Sequence, residues 1–372
     1  MARPSELPAL TGLRFFAALW VVLFHTMPRA SMPAPVAQFF AHGWSGVTLF
    51  FILSGFILAH VYDRSDRVSA ARFYRARAAR VYPAYAAALL FALPLFLRDA
   101  RVAAPPLGTG QTVAIGASAI AMLQAWVPGW GCWWNCPGWS LSVEAFYYLL
   151  FPVLLPLIVR RATRDCVLIA GACLLAAIAI GLLDQGGGTE WSAGATTPLA
   201  RWGLSGWSPI VRLPEFILGI AAARLMRGRA LSRVARRVAA GSGIVAAIAI
   251  TAFTPPWATG LLLSALLLVP FTALIVGWAS SDPTGWASRP LVVRLGEASY
   301  ALYLFHAPLH SYLLAVATRV GLSAWIEGWA LFGVYLALAF LLATAVHRWI
   351  ERPARERWRP RGMGNEPPLP IS

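Results

Sequence analysis

The segment 11–27, TGLRFFAALWVVLFHTM, combines membrane-like hydrophobicity with two ionisable side chains, Arg14 and His25. Their spacing of eleven residues corresponds to three helical turns plus about 20°, so both lie on one helical face. Such groups are costly in lipid and normally face a protein interior or a water-filled cavity. A neutral histidine, with an unperturbed pKa of about 6.5, can accept the proton of an alcohol. The pattern predicts a catalytic base; the simpler alternative is that Arg14 snorkels to headgroups and His25 lies at the opposite interface.

A carboxylate, Glu144, lies in the segment NCPGWSLSVEAFYYLLFP, whose helix we expect to begin near residue 139. A position in the first turn would let Glu144 interact with the helix N-terminus, which alone could account for it. A capping box, however, requires a serine three residues before the glutamate, whereas Ser140 is four and Ser142 two residues before it. The spacing therefore favours a carboxylate that faces a pocket.

Two further segments carry polar side chains at helical spacing. Arg212 and Glu215, in VRLPEFILG, are three residues apart and could neutralise each other in a structural ion pair. Ser299, Tyr303 and His306, in GEASYALYLFHAPL, follow i, i+4, i+7 spacing and form a polar stripe on one helical face. An aromatic core with one hydrogen-bonded histidine is the alternative interpretation of that stripe.

Arg77 and Arg80 belong to RFYRARAARVYPAY, an arginine-rich stretch around the start of a predicted span. Because they are three residues apart on one helical face, they could bind phosphate groups through paired guanidinium hydrogen bonds. A cytoplasmic loop facing anionic membrane lipids also accumulates arginine, so a purely topological role is the alternative.

The composition defines the elements that must position these residues. Of 372 residues, 59% are hydrophobic and only 12% are charged, and the apolar residues occur in runs of about twenty. The net charge of +16 comes from dispersed arginines without any lysine, so we expect no nucleic-acid partner. The sequence predicts an all-α integral membrane protein with about ten transmembrane helices, at 8–27, 43–62, 82–97, 139–159, 166–183, 209–226, 238–254, 258–278, 297–317 and 328–347.

The arginines also predict the orientation of the chain. Most of them lie in every second connection and beyond the last span, and the positive-inside rule makes that side cytoplasmic, with both termini inside. A cleaved signal peptide is disfavoured because Arg14 interrupts the first apolar run and Arg29 follows it. We expect residues 1–361 to form one membrane domain and the Pro-rich segment 362–372 to be a disordered cytoplasmic tail.

The segment 97–139 contains a shorter apolar run, TVAIGASAIAMLQAW. About fifteen residues are too few for a comfortable crossing, so we predict a re-entrant or interfacial segment between the third and fourth spans. Cys132 and Cys136 follow it on the predicted outer side, where a disulfide and two small packed side chains are the alternatives. No histidine close to these cysteines supports a metal site, and none is expected.

A series of motifs resembles the membrane acyltransferase-3 family of O-acyltransferases over almost the whole chain. The resemblance implies an integral enzyme of the bacterial inner membrane that takes an acyl group, often acetyl, from cytoplasmic acyl-coenzyme A (acyl-CoA) as a co-substrate. It implies, as acceptor, a hydroxyl of an extracytoplasmic carbohydrate such as O-antigen or exopolysaccharide; some members acylate macrolides or other small molecules. The motifs are LPALTGLRFFAALWVVLFH, GVTLFFILSGFILAH, RARAARVYP, WSLSVEAFYYLLFP, RLPEFILG, SYALYLFHAPL and WIERP.

The resemblance also implies roles for single residues. Arg14 and His25 match the family's essential arginine and histidine, and Glu144 matches its glutamate, so these three are the expected catalytic residues. Arg77 and Arg80 match the Arg-x-x-Arg motif associated with acyl-CoA. The expected substrate-binding residues are Trp139, Ser142, Tyr303 and His306.

The hypothesis that joins these residues places the phosphates of acyl-CoA on Arg77 and Arg80, with the pantetheine arm passing Arg14 so that the thioester approaches His25. Glu144 would orient His25 or bind the sugar. Direct transfer and an acyl-histidine intermediate both remain open. Family members that modify peptidoglycan carry a fused C-terminal SGNH hydrolase-like domain, which this sequence does not include, so a peptidoglycan acceptor is disfavoured.

Two other function classes fit a polytopic membrane protein. A transporter or flippase would also have polar residues in its spans, but it often shows paired repeats, which we do not find. A non-catalytic subunit of a membrane assembly would leave the modification intact when His25 is changed.

Overall fold

The computed structural model describes residues 7–62, 69–184, 198–227, 231–255, 257–258, 260–279, 285–322 and 328–357. Within these ranges the chain is largely helical and contains no β-strand, which confirms the predicted all-α class. The predicted tail and the last residues of the predicted membrane domain lie outside the described residues, so both stay predictions.

Fourteen α-helices occur in the described ranges, and a π-helical turn at His347–Glu351 joins the last two. Apolar runs form helices because a backbone in lipid must satisfy its own hydrogen bonds. In chain order they are α1 (Pro8–Thr26), α2 (Ala34–Ala41), α3 (Gly46–Tyr62), α4 (Ala70–Val102), α5 (Thr109–Ile120), α6 (Gly138–Val159), α7 (Thr163–Leu183), α8 (Pro198–Arg201), α9 (Leu213–Met226), α10 (Arg233–Ala252), α11 (Gly260–Ala279), α12 (Pro290–Arg319), α13 (Trp329–Val346) and α14 (Arg352–Arg357).

Every predicted span coincides with one of these helices. Among the described residues, eight candidate spans are long and apolar enough to cross a membrane, judged by length and composition. α9 and α12 are not among the eight: α9 has only 14 residues, and α12 contains His306, His310 and several tyrosines and serines, which make it less apolar than the other spans. The structure confirms an all-α membrane protein, and about ten crossings stay a prediction.

The start of α4 differs most from the prediction. This helix was expected near residue 82 but begins at Ala70 and continues to Val102, for 33 residues in all. Alanine and arginine, which dominate its first turns, both have high helix propensity. Arg77 and Arg80 are buried in this helix, whereas Arg72 and Arg75 of the same stretch are exposed.

α5 corresponds to the short apolar run predicted between the third and fourth spans. Its 12 residues extend only about 18 Å, less than the hydrocarbon thickness of a bilayer. The hydroxyl of Tyr85 in α4 donates to Ala119 O in α5 at 2.7 Å, which ties the two helices together. In the loop that follows, Cys132 and Cys136 form a disulfide.

Glycines let two pairs of helices approach closely, as small residues commonly do in membrane proteins. A Cβ atom at Gly55 of α3 or at Gly219 of α9 would overlap backbone atoms of the other helix. Likewise, a Cβ atom at Gly296 of α12 would overlap the carbonyl group of Thr11 in α1. The second contact holds the helix of the predicted catalytic arginine and histidine against the helix of the polar stripe.

Candidate active site

Five helices, α1, α3, α4, α6 and α12, surround a cavity. The space that no protein atom fills, including the open mouth, is about 810 Å³. Segments that are distant in the sequence meet at this cavity, and most of its polar side chains come from the motifs described above. The polar lining residues are Arg14, Ser54, Arg77, Arg80, Ser140, Glu144, Tyr148, Ser299, Tyr300 and Tyr303.

Three arginines line the cavity, Arg14 from α1 and Arg77 and Arg80 from α4. The Arg77 guanidinium packs against the rings of Phe73 and Tyr148, 5.8 Å from each centroid. Arg77 Nε and Arg80 Nη1 are buried and have no hydrogen-bond partner among the described residues. Buried guanidinium donors without partners are costly, so this end of the cavity is suited to an anion such as phosphate.

Glu144 supplies a carboxylate to the lining. Its Oε1 accepts hydrogen bonds from Ser54 Oγ at 3.2 Å and from the Tyr148 hydroxyl. α6 begins at Gly138, so Glu144 lies in the second helical turn and an interaction with the helix N-terminus does not account for it. The carboxylate instead acts electrostatically on Arg14 within the cavity, as the serine spacing favoured.

α1 and α12 run in the same direction, because Gly296 lies against Thr11 and His306 lies beside His25. Residues of the two helices therefore follow each other in parallel along the cavity wall. Along this direction, Tyr303 of α12 therefore lies near His25 and His306, further along the cavity wall than Arg14 of α1.

Tyr303 connects the cavity to the histidines. Its hydroxyl lies 2.7 Å from Ser140 Oγ, and since Ser140 donates its own proton to Pro137 O at 2.9 Å, Tyr303 is the donor. The ring of Tyr303 lies 5.9 Å from that of His306, measured between centroids. His25 and His306 are not among the lining residues and lie behind this tyrosine.

His25 and His306 form a hydrogen-bonded pair, with His306 Nε2 3.2 Å from His25 Nδ1. His306 Nδ1 lies 2.6 Å from Tyr303 O, and His25 Nδ1 lies 2.9 Å from Val21 O. Because a carbonyl oxygen can only accept, both Nδ1 atoms carry hydrogen in the neutral rings. His25 then donates from Nδ1 to Val21 and His306, and its basic lone pair lies on Nε2.

Of the four expected substrate-binding residues, only Tyr303 lines the cavity; Trp139 and Ser142, like His306, lie outside the lining. Ser142 donates to Met122 O at 2.6 Å, and Trp139 stacks on Trp207 with ring centroids 5.9 Å apart. The neighbouring Ser140 lines the cavity instead. Binding roles for Trp139 and Ser142 stay predictions, and their observed contacts are those of helix and loop packing.

The predicted ion pair between Arg212 and Glu215 is confirmed. Arg212 Nη1 lies 3.4 Å from Glu215 Oε1, and the two side chains are 1% and 5% exposed. Arg212 also donates to Ser264 Oγ and Thr48 Oγ1, both at 3.0 Å. A buried pair with this many partners indicates a structural role in joining α3, α9 and α11.

Besides Ser140, three hydroxyl groups of the lining are not predicted from the sequence, those of Ser54, Tyr148 and Tyr300. Tyr148 follows Glu144 by four residues on the same helical face, a spacing that could have indicated it. Ser54 interrupts the apolar run of α3, and polar residues within spans often face a cavity. Tyr300, whose hydroxyl donates to Val81 O at 2.8 Å, gave no local signal.

The arginines are the groups that could hold a charged co-substrate. Among the described residues, no three His, Cys, Asp or Glu side chains are grouped to hold a metal ion.

Residues 7–348 match a family model described as an acyltransferase domain. The chain belongs to the acyltransferase-3 family. The resemblance inferred from the motifs is thereby confirmed, and the chain is a membrane acyltransferase.

Three relatives illustrate the range of this family. The acyltransferase MdmB of Streptomyces mycarofaciens is 32% identical over 326 residues, which cover 82% of this chain and 79% of MdmB. The O-acetyltransferase OatA of Staphylococcus aureus (strain NCTC 8325 / PS 47) is 22% identical, over 96% of this chain and 58% of OatA. The peptidoglycan O-acetyltransferase OatA of Listeria monocytogenes is 23% identical, over 94% of this chain and 56% of that protein. This chain thus spans a little over half the length of the two OatA proteins. No solved structure is significantly similar to it.

Proposed function

We propose that this acyltransferase moves an acyl group, acetyl in the simplest case, from cytoplasmic acyl-CoA to a hydroxyl of an extracytoplasmic carbohydrate. A carbohydrate acceptor is supported by the similarity to the Listeria relative, which is named a peptidoglycan O-acetyltransferase. We further propose that the chain resides in the bacterial inner membrane with both termini in the cytoplasm, as the arginine distribution predicts.

One observation carries this proposal: a single cavity has three arginines in its lining and ends at Tyr303, next to the histidine pair. Acyl-CoA has matching parts, an anionic phosphate group at one end and a reactive thioester at the end of a long arm. Arg77 and Arg80 would bind the phosphates, and the arm would pass Arg14 toward His25, about 16 Å further along α1.

In the proposed reaction, His25 Nε2 accepts the proton of the acceptor hydroxyl as its oxygen attacks the thioester carbonyl. The carbon–sulfur bond then breaks, and the imidazolium returns the proton to the departing sulfur, giving an ester and free CoA. In a second route, Nε2 itself attacks the thioester carbonyl and displaces CoA as its thiolate, which leaves an acyl-imidazolium. The acceptor hydroxyl then attacks the acyl carbon, the carbon–nitrogen bond breaks, and the hydroxyl proton passes to the thiolate, giving the ester, free CoA and neutral His25. In both routes Nδ1 keeps its hydrogen, and His306 rather than Glu144 is the side chain that orients His25.

Glu144 has a different part in this proposal. Its hydrogen bonds come from Ser54 and Tyr148, and its charge acts on Arg14. The carboxylate would therefore hold Arg14 in the path of the arm and leave the phosphates to Arg77 and Arg80.

The test follows a labelled acetyl group from acetyl-CoA in membranes of a host that lacks its own copy of this chain. The native chain, His25→Ala and the control His42→Ala are compared. His42 follows α2, its Nδ1 lies 2.9 Å from Thr251 O, and it is not among the lining residues of the cavity. We expect label in polysaccharide with the native chain and the control, and a loss of at least about 100-fold with His25→Ala.

Label in a small lipophilic product would support acyl transfer from acetyl-CoA but contradict a carbohydrate acceptor. Equal labelling by all three chains would remove His25 from the mechanism. Absence of labelling with the native chain would contradict the acyl-CoA donor and favour a transporter.

A further inference from the structure

The π-helical turn His347–Glu351 and the short helix α14 both pack against α4, the helix that carries the Arg-x-x-Arg motif. π-helical turns are uncommon and frequently occur at functional sites. Most of this segment lies beyond residues 7–348, the region that the family model matches.

Glu351 holds two side chains with one carboxylate oxygen. Arg355 Nη2 donates to Glu351 Oε2 at 2.8 Å, and His347 Nδ1 lies 3.1 Å from the same oxygen. His347 also lies close to Glu297, with Nε2 4.0 Å from its Oε2. Glu351 is buried, whereas 21% of the Arg355 side chain is exposed. A buried carboxylate thus fixes the direction of a guanidinium that a ligand can still reach.

Arg355 does not line the cavity itself, but its helix α14 packs against α4, the helix that carries Arg77 and Arg80. The charges of Arg355 and Arg80 act on each other across this contact. Arg355 Nε, like Arg77 Nε and Arg80 Nη1, has no hydrogen-bond partner among the described residues. The Glu351 carboxylate offsets part of the positive charge of Arg80 and Arg355, and the guanidinium donors that remain without partners favour binding of a further anion.

We propose that Arg355, fixed by Glu351, completes an anion site with Arg77 and Arg80 and binds a phosphate group of the acyl donor. This inference rests on the proposed function, in which the donor is acyl-CoA. CoA carries a pyrophosphate and a ribose 3′-phosphate, so guanidinium groups beyond the Arg-x-x-Arg motif would be needed to pair with all its phosphates. The phosphate of a lipid headgroup has the same chemistry, and the experiment distinguishes the two sources.

The test measures the affinity of the full chain, purified in an uncharged detergent, for CoA and for inorganic pyrophosphate by calorimetry. Arg355→Gln removes the charge, and Arg355→Lys keeps the charge but loses the paired hydrogen bonds. Arg352→Gln is the matched control, because Arg352 lies on the same short helix, is 70% exposed and pairs with Glu356 at 3.0 Å. We expect Arg355→Gln to weaken CoA binding at least about tenfold, Arg355→Lys to weaken it less, and the control to bind normally. Thermal unfolding shows that each variant is folded.

Unchanged CoA affinity in a folded Arg355→Gln variant would overturn the inference and leave the proposed function intact. Phosphatidylglycerol vesicles could instead stabilise the native protein but not Arg355→Gln, while the two bind CoA equally. The anion would then be a lipid headgroup, and the assignment to the acyl donor would be overturned. If the native chain binds no CoA, the proposed donor fails. In that case the pyrophosphate measurement decides about the anion site. Loss of pyrophosphate binding in Arg355→Gln would still support the site, whereas equal binding by the native chain and Arg355→Gln would overturn it.

Discussion

His306 Nε2 lies 3.2 Å from His25 Nδ1, although 281 residues separate the two histidines in the chain. The carbonyl groups of Tyr303 and Val21 fix both rings in the tautomer that carries hydrogen on Nδ1. One imidazole therefore orients the other and leaves His25 Nε2 as the basic nitrogen. This arrangement resembles, in function, the carboxylate that orients the histidine of a hydrolytic triad, with a neutral ring in its place.

Replacing His306 by Phe should lower kcat about tenfold with little change in the KM for acetyl-CoA, because His25 loses an orienting acceptor but keeps its bond to Val21. Steady-state kinetics on the purified enzyme measure both parameters. Tyr335→Phe is the control, since it leaves both imidazole rings in place and removes the hydrogen bonds of the Tyr335 hydroxyl to His306 O, at 3.2 Å, and to the Thr26 side chain. A His306→Phe enzyme with the native kcat would contradict an orienting role.

Arg80→Gln should raise the KM for acetyl-CoA at least about tenfold and change kcat less, because a buried phosphate-binding donor is lost. Arg75→Gln is the matched control, since Arg75 lies on the same helix but is exposed. The proposal for this helix fails if both substitutions change the KM equally.

Arg212→Met should destabilise the protein by about 3–5 kcal/mol, because it leaves the Glu215 carboxylate buried without its partner. The free energy of unfolding in detergent measures the loss. Arg98→Gln, which breaks the exposed pair with Asp99 at 2.7 Å, should cost less than about 1 kcal/mol. Similar losses for the two variants would contradict the structural importance assigned to the buried pair.

Gly296→Val should separate α1 from α12, lower stability by about 1–3 kcal/mol and reduce acyl transfer, since His25 and His306 are on these two helices. Gly333→Val in α13 provides the control, because a Cβ atom at Gly333 meets no heavy atom within 4 Å. Unfolding curves and transfer rates are measured on both variants. Normal activity of Gly296→Val would show that the close contact is not needed to hold the pair.

The amino-acid sequence alone was enough to predict the membrane class, the family and the approximate positions of the spans. These follow from local properties, since about twenty apolar residues suffice to mark a span and helical periodicity places residues on one face. The ion pair between Arg212 and Glu215 was predictable for the same reason, because its partners lie three residues apart on one helix. The start of α4 was predicted too late. Its arginine-rich first turns resemble a cytoplasmic loop in composition, but alanine and arginine both favour a helix.

Which helical faces pack against each other could be learned only from the three-dimensional structure. Parallel packing of α1 against α12 joins His25 to His306, and the cavity selects Ser140 rather than Ser142 for its lining. Packing of α14 against α4 brings the segment of Arg355 to the helix of Arg77 and Arg80. Periodicity defines the face of a single helix but not its neighbour, because the neighbour depends on close contacts such as that at Gly296 between residues distant in the chain.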